Sequence, residues 1–381
     1  MKLVFFCNYL NHHQVFVADA LYGLIGSSFC FVATLPRNEK ELKGGEDYSS
    51  RSYCLLAAES ASARNEALQY ALTADVCVFG ACSQEYAVHR AVHNPRGLAF
   101  EVGERWLKRG WLNVLSPVLR TWWLNYHRYF KKANFHKLCS SAFAACDDER
   151  LGCYAGRHYK WGYFTEQPTA PSERRAVAQG MPIRLMWCAR FIGWKHPELA
   201  VYCARQLKRH GYRFRLDMYG DGTLRPQMEK LVKQWKLKDE VSFHGNVEND
   251  IVQHAMRRSD IFLFTSDRQE GWGAVANEAM AAGCCVVAGD SIGAAPYLIS
   301  NGVNGYLFPD GDAHALFAIV RRLCDNPAER LQLAKQSQED LASRWSPQRA
   351  AQNLLQLIQD LQNGRASSIV EGPCSNASLL T

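Results

Sequence analysis

The sequence predicts an α/β protein made of two doubly wound, parallel-sheet domains. Short apolar runs alternate with longer helical stretches in both halves, a polar Pro-containing segment separates the halves, and 381 residues is about twice a typical single domain. Alternation of this kind is the pattern of parallel sheets covered by helices on both faces.

In the first half, Lys2 to Cys7 and Phe29 to Thr34 read as strands around a helical stretch from Gln14 to Ile25. Val76 to Gly80 reads as a later strand running into a small polar loop and a helix. Between Glu166 and Gly180, Pro168, Pro171 and several Thr, Ser, Glu and Arg residues replace the periodic apolar ones. A linker is therefore expected over 166–180, between an N-terminal domain at 1–165 and a C-terminal domain at 181–346.

Beyond the linker, strands are expected at Ile183 to Ala189, Phe214 to Tyr219, Val241 to His244, Ile261 to Phe264 and Cys285 to Ala288. Helices are expected from Pro197 to His210, from Thr223 to Trp235 and from near Gly273. A last helix at 347–362 is expected to pack back on the first domain, and residues 363–381, with their Gly, Ser and Asn, read as a disordered tail.

Apolar residues make up 48% and charged residues 21%, which places the chain among folded globular proteins. The fourteen cysteines include no C-x-x-C pair, which argues against a zinc ribbon and fits a reducing cytosol. Asn8, Asn11, His12 and His13 interrupt any signal-peptide core, and no uncharged run of 18 apolar residues occurs. The expected location is the cytoplasm. Neither half carries G-x-G-x-x-G after its first strand, nor a Walker loop, which argues against nicotinamide dehydrogenases and P-loop enzymes.

Open α/β sheets bind ligands at the carboxyl ends of their strands, so the loops there carry the chemistry. In Arg190-Phe-Ile-Gly193-Trp-Lys195-His-Pro197, two cations five residues apart can converge on a diphosphate, Arg as a planar fork and Lys as a point charge. The plainer alternative is a pair of surface cations. In Glu270-Gly271-Trp272-Gly273 and Glu278, glycines admit a ligand close to the backbone, and carboxylates suit sugar or ribose hydroxyls. The alternative is a helix cap at Glu270 and a solvated helical Glu278. Tyr219-Gly220-Asp221-Gly222 and Phe243-His244-Gly245 are Gly turns at strand ends against which a base or ribose can lie. Asp310-Gly-Asp312 is read as a helix cap at Asp312 rather than as a metal motif. No metal site and no cofactor is expected.

Taken in this order, these residues resemble the donor domain of the retaining glycosyltransferases of family 4. The likeness runs from about Ile183 to Leu307 and includes Glu270-x7-Glu278-Ala-Met-Ala-Ala-Gly283 and Asn301-Gly-Val-Asn304-Gly305. Asn8-Tyr-Leu-Asn11-His12-His13-Gln14 and Trp161-Gly-Tyr-Phe164 look like a branch of that family from bacterial surface-polysaccharide loci. The resemblance implies the GT-B architecture, two facing Rossmann-like domains with a cleft between them. It also implies metal-independent transfer, with retention, from a UDP- or GDP-sugar to a lipid-linked or polysaccharide acceptor. Arg190 and Lys195 would hold the diphosphate, Glu278 the ribose and Glu270 the transferred sugar.

The family's paired glycines in the first N-terminal loop are replaced here by Asn8 to Gln14, so His12 or His13 is a candidate for meeting the acceptor or the sugar. An equal alternative is a His that only satisfies loop backbone. His89 is a further candidate. The rival readings are a nucleotide-sugar epimerase of the same fold and a donor-binding partner subunit without turnover.

Between Arg105 and Cys146 there is no Asp or Glu. Arg105, Lys108, Arg109, Arg120, Arg128, Lys131, Lys132 and Lys137 are interleaved there with Trp and Tyr. Residues 105–137 are therefore expected either to lie on an anionic membrane surface or to form a helical lid with its aromatics in the core. No nucleic-acid motif accompanies them.

Overall fold

A computed structural model describes residues 1–36, 48–166 and 181–380. All but the first residue of the expected linker lies outside the described residues. The chain divides into two compact units, one of Met1–Glu166 with Arg344–Thr381 and one of Gln167–Ser343.

The first unit is built on a seven-stranded sheet: β1 (Leu3–Cys7), β2 (Phe29–Ala33), β3 (Cys54–Leu56), β4 (Val76–Phe79), β5 (Leu98–Gly103), β6 (Phe135–Cys139) and β7 (His158–Lys160). Its order is β3-β2-β1-β4-β5-β6-β7 and every pairing is parallel. Strands such as Leu-Val-Phe-Phe-Cys are apolar along their whole length because helices cover both faces, and all five residues of β1 are buried. The winding reverses beside β1, so the loops after β1 and β4 diverge and leave a crevice at the carboxyl edge.

The second unit repeats the plan with six strands: β8 (Ile183–Cys188), β9 (Phe214–Tyr219), β10 (Val241–Gly245), β11 (Ile261–Phe264), β12 (Cys285–Gly289) and β13 (Tyr306–Phe308). Its order is β10-β9-β8-β11-β12-β13, again all parallel. Here the reversal falls between β8 and β11, and the loops after these two strands carry Arg190–Lys195 and Thr265–Glu270. Asp312 caps helix Ala313–Asp325, accepting from the backbone N–H groups of His314 and Ala315, both at 2.9 Å.

Helix Pro347–Gln362 lies in the first unit against helix Val15–Ile25. It buries Ala350, Ala351, Leu354, Leu357 and Ile358, the stripe that a 3.6-residue period presents on one side.

The tail departs from the sequence expectation. Ser368 donates twice to Asp360, from its N–H at 2.9 Å and its hydroxyl at 2.6 Å. Cys374 N–H donates to the Lys160 carbonyl at 2.6 Å, Lys160 N–H to Ser375 O at 2.8 Å, and Ala377 N–H to His158 O at 3.1 Å. The chain end thus pairs with the outer edge of β7, where backbone groups would otherwise lack partners. The Gly and Ser residues that read as disorder are turn residues here: Gly372 takes a φ of +77°, and Ser375 Oγ donates to its carbonyl.

Candidate functional site

Two loops of the second unit are tied together at the reversal point. The buried Trp187 indole N–H, near the end of β8, donates to Thr265 Oγ at 2.8 Å, and Thr265 Oγ donates to the Lys195 carbonyl at 2.7 Å. Asp267 N–H donates to Trp194 O at 2.9 Å, adding a backbone clasp. His196 sits in the left-handed region at φ +46°, immediately before Pro197 opens helix Pro197–Arg209. Its Nδ1 lies 2.6 Å from Glu198 and its Nε2 3.4 Å from Asp267. The Glu198 hydrogen bond chiefly, with help from Asp267 and against burial, raises its pKa. These contacts hold a strained non-glycine residue in place.

The side chains this frame presents are Lys195, Glu270, Glu278 and Arg190. Lys195 Nζ is ion-paired with the Glu270 carboxylate, and the two side chains are only 13% and 14% exposed. Arg190 is exposed, its guanidinium 5.5 Å from the centre of the Trp194 ring. Glu278 lies partly buried in helix Val275–Ala281, where loss of hydration pushes its carboxyl up to about 7 against a hydrogen bond from Gln253. The Cys188 thiol at the end of β8 is raised to about 12, first by burial and then by the Glu278 charge, with Lys195 opposing. Glu278 and Lys195 thus both act electrostatically on Cys188, and Glu270 is tied to Lys195 by the ion pair.

Glycines let the neighbouring loops approach this frame. Gly220 has φ +113°, and a Cβ there would lie 2.0 Å from the Ala189 carbonyl. Gly222 has φ +154°, and a Cβ would lie 2.5 Å from Phe191 O. In return Ala189 N–H donates to Tyr219 O and Phe191 N–H to Asp221 O. Gly273, at φ +92°, presses on the Phe264 ring.

Two of the expected contacts are modified. The helix expected near Gly273 begins at Val275, and Trp272 is fully buried with its indole N–H on Asn277 at 2.9 Å. The Trp272 side chain is core, and only its backbone is left to meet a ligand. His244 is partly spoken for, 2.7 Å from Asp217 and stacked on Tyr219 at 4.4 Å, while the Gly245 carbonyl accepts from Gly220 N–H. Thr265, His196 and Asp267 build the site without having been singled out in the sequence, because a bridging hydroxyl and a left-handed histidine leave no periodic signal.

The first unit has its own cavity of about 600 Å³, whose lining includes His13, Gln14, Glu101, Glu104, Arg105 and Trp106. His13 stacks on Tyr163 at 5.2 Å, and the Tyr163 hydroxyl donates to Glu104 at 2.7 Å. His12 lies against His13, with ring centres 3.8 Å apart, and is not part of the lining. His89 pairs with His93 on helix Gln84–His93, also outside the lining.

The basic stretch 105–137 is corrected in part. Arg105 is buried, with its guanidinium held two-pronged by Asp147 at 3.2 Å, and Lys137 is fully buried on Glu101 at 2.7 Å. Glu101 also accepts from Trp122 at 2.8 Å and Tyr154 at 2.6 Å. Burial opposes the Lys137 charge, but Glu101 and Asp148 outweigh it and its pKa rises. Burial raises Asp148 to about 8 and lowers His158 to about 4, so the 3.7 Å contact between them is not an ion pair near neutrality. Leu119, Trp122, Tyr126 and Phe130 face the core. Cations at both ends of the stretch therefore serve the interior, and its middle alone is surface.

Residues 172–340 match the family model for glycosyl transferases group 1. This region is similar to the group 1 glycosyltransferases. The chain is 29% identical over 196 residues to the putative colanic acid biosynthesis glycosyltransferase WcaL of Salmonella typhimurium, covering 50% of this chain and 48% of that protein. It is 29% identical over 185 residues to the amylovoran biosynthesis glycosyltransferase AmsK of Erwinia amylovora, covering 47% and 45%. The chain thus spans about half the length of the curated relatives it matches. Among solved structures, Anabaena HepE in complex with UDP superposes with a TM-score of 0.67 over 94% of this chain and 100% of that one, at 17% identity. Sucrose-phosphate synthase of Thermosynechococcus elongatus gives 0.66 over 96% and 100%, at 16%. The matched region therefore sits in a chain with the GT-B fold of two Rossmann-like units.

Proposed function

We propose that the chain is a retaining, metal-independent glycosyltransferase of family 4 that moves a sugar from a UDP- or GDP-sugar to a lipid-linked or polysaccharide acceptor in cell-surface glycan synthesis. The observation that carries this reading is the Lys195–Glu270 pair at the carboxyl edge of the second sheet, with Glu278 on the helix that follows, within the matched region. Support for the donor class comes from neighbours of the same fold whose structures hold UDP or UDP and glucose.

In this reading the incoming diphosphate takes Lys195 and the exposed Arg190. Glu270, released from Lys195, accepts from hydroxyls of the transferred sugar, and Glu278 accepts from the ribose. The bond between the anomeric carbon and the diphosphate oxygen breaks, and the leaving group carries away the electron pair. The acceptor oxygen bonds the same face of the sugar, and its proton passes to a phosphate oxygen. Fixed cations stabilise charge where it develops on the diphosphate, and removing one such group costs about 100-fold in rate.

Calorimetric titration with UDP-, GDP-, ADP- and CMP-sugars, without metal, is the test. One nucleotide class is expected to bind the wild type, and Arg190→Ala with Lys195→Ala is expected to abolish that binding and to lower turnover at least ~100-fold. Failure of every nucleotide to bind at millimolar concentration would sink the donor assignment. Binding with no transfer to any acceptor would instead favour a partner subunit, and isomerised free sugar an epimerase.

A further inference from the structure

The middle of the basic stretch leaves large apolar side chains in water. Trp111 is 61% exposed, Leu112 70%, Leu115 67%, Val118 68% and Leu124 59%. Leu112 and Leu115 are three residues apart in the 3-10 turn Gly110–Leu115, a spacing that aligns them. In helix Pro117–Arg128 the residues facing inward are Leu119, Trp122 and Tyr126, so Arg120, Leu124 and Arg128, four apart, run along the outer face. Five large apolar residues that are each at least 59% exposed within fourteen positions mark an interaction surface.

The charge around it selects the partner. Arg109, Arg120, Arg128, Lys131 and Lys132 are exposed, and no carboxylate occurs in the sequence between Arg105 and Cys146. Arg120 donates to the Val114 carbonyl at 2.9 Å and Arg128 lies over the Tyr129 ring, so neither is drawn to an acid by its recorded contacts. Two copies of this face would bring like charges together, which disfavours self-association. Of the five exposed apolar side chains only Trp111 could stack on a base, and the four aliphatic ones offer a nucleic acid nothing to stack on. An anionic bilayer meets both demands, with headgroups for the cations and the acyl boundary for the apolar side chains.

We infer that the face formed by Trp111, Leu112, Leu115, Leu124, Arg120 and Arg128 seats the first unit on an anionic membrane surface. Val118 and Asn113 belong both to this region and to the cavity lining, so the cavity opens beside the seated face. The inference concerns the first unit alone and stands or falls apart from the donor reading, because the measurement needs no nucleotide.

The test is flotation with phosphatidylcholine vesicles with and without phosphatidylglycerol. The wild type is expected to float only with the anionic vesicles and to be released by salt. Leu112→Ser with Leu115→Ser and Leu124→Ser should lower partitioning at least ~10-fold, and Arg120→Gln with Arg128→Gln about fivefold per charge removed. Circular dichroism checks that the variants fold. Lack of flotation by the wild type, or flotation unchanged by the folded leucine variant, would overturn the inference. So would a wild-type dimer in size-exclusion chromatography that the leucine substitutions dissolve.

Discussion

The two units share one plan, an all-parallel sheet whose winding reverses beside its first strand, yet they use charge in opposite ways. In the first unit Arg105 is paired with Asp147 and Lys137 with Glu101 in the interior, and the Trp122 indole and Tyr154 hydroxyl donate to Glu101 as well. In the second unit the carboxyl edge of the sheet is packed with glycine backbone, and its charges, Lys195, Glu270, Glu278 and Arg190, stand at the edge itself. Buried charges that must satisfy each other fix a shape and resist change. Charges held by a tight backbone with an exchangeable partner can answer a ligand.

That contrast can be broken experimentally. Lys137→Met should have the largest effect: it strands Glu101 in the interior, and urea denaturation should show a loss of about 3–5 kcal/mol. Nucleotide binding by the second unit should survive in conditions where the variant stays folded. A loss under ~1 kcal/mol would mean the buried network is not structural in the way described.

Gly220→Ala should come next. Its φ and the 2.0 Å approach to the Ala189 carbonyl force the loop to shift, for a thermal-melt loss of about 1–3 kcal/mol. A melt equal to that of the wild type would show that the loops are not clasped through this position.

The smallest effect belongs to Glu278→Gln. The folded-state pKa of Glu278 is raised to about 7 from an ordinary 4.5, so the wild type is relatively most stable below the lower value and loses stability as pH rises through about 7. The variant should therefore match the wild type near pH 4.5 and exceed it by about 1–2 kcal/mol at pH 8. Melts that differ equally at both pH values would contradict the desolvation of that carboxyl.

Much of this was legible in the sequence. Five of the six strands of the second sheet could be read because their apolar runs are short and bounded by turn residues, whereas β13 is only three residues long and was not. The spacing of Arg190, Lys195, Glu270 and Glu278 pointed to one edge of it. Sequence could not show that Lys195 and Glu270 are partners, since 75 residues separate them and the pairing follows from strand order. Phe-His-Lys-Leu-Cys, the β6 segment, reads poorly as a buried strand because its lysine finds Glu101 only through the fold. The acid-free run hid the roles of Arg105 and Lys137 for the same reason, since these two cations take their acids from outside it, at Asp147 and Glu101.

The chain end that pairs with β7 also orders events in time. The second unit is continuous in sequence and can close once Ser343 has been made, whereas the first is begun at Met1 and finished by residues beyond Arg344. During synthesis the first unit's β7 edge and the groove that receives helix Pro347–Gln362 stay open until residues 347–377 have emerged. The sheet translated first is thus completed after the second one.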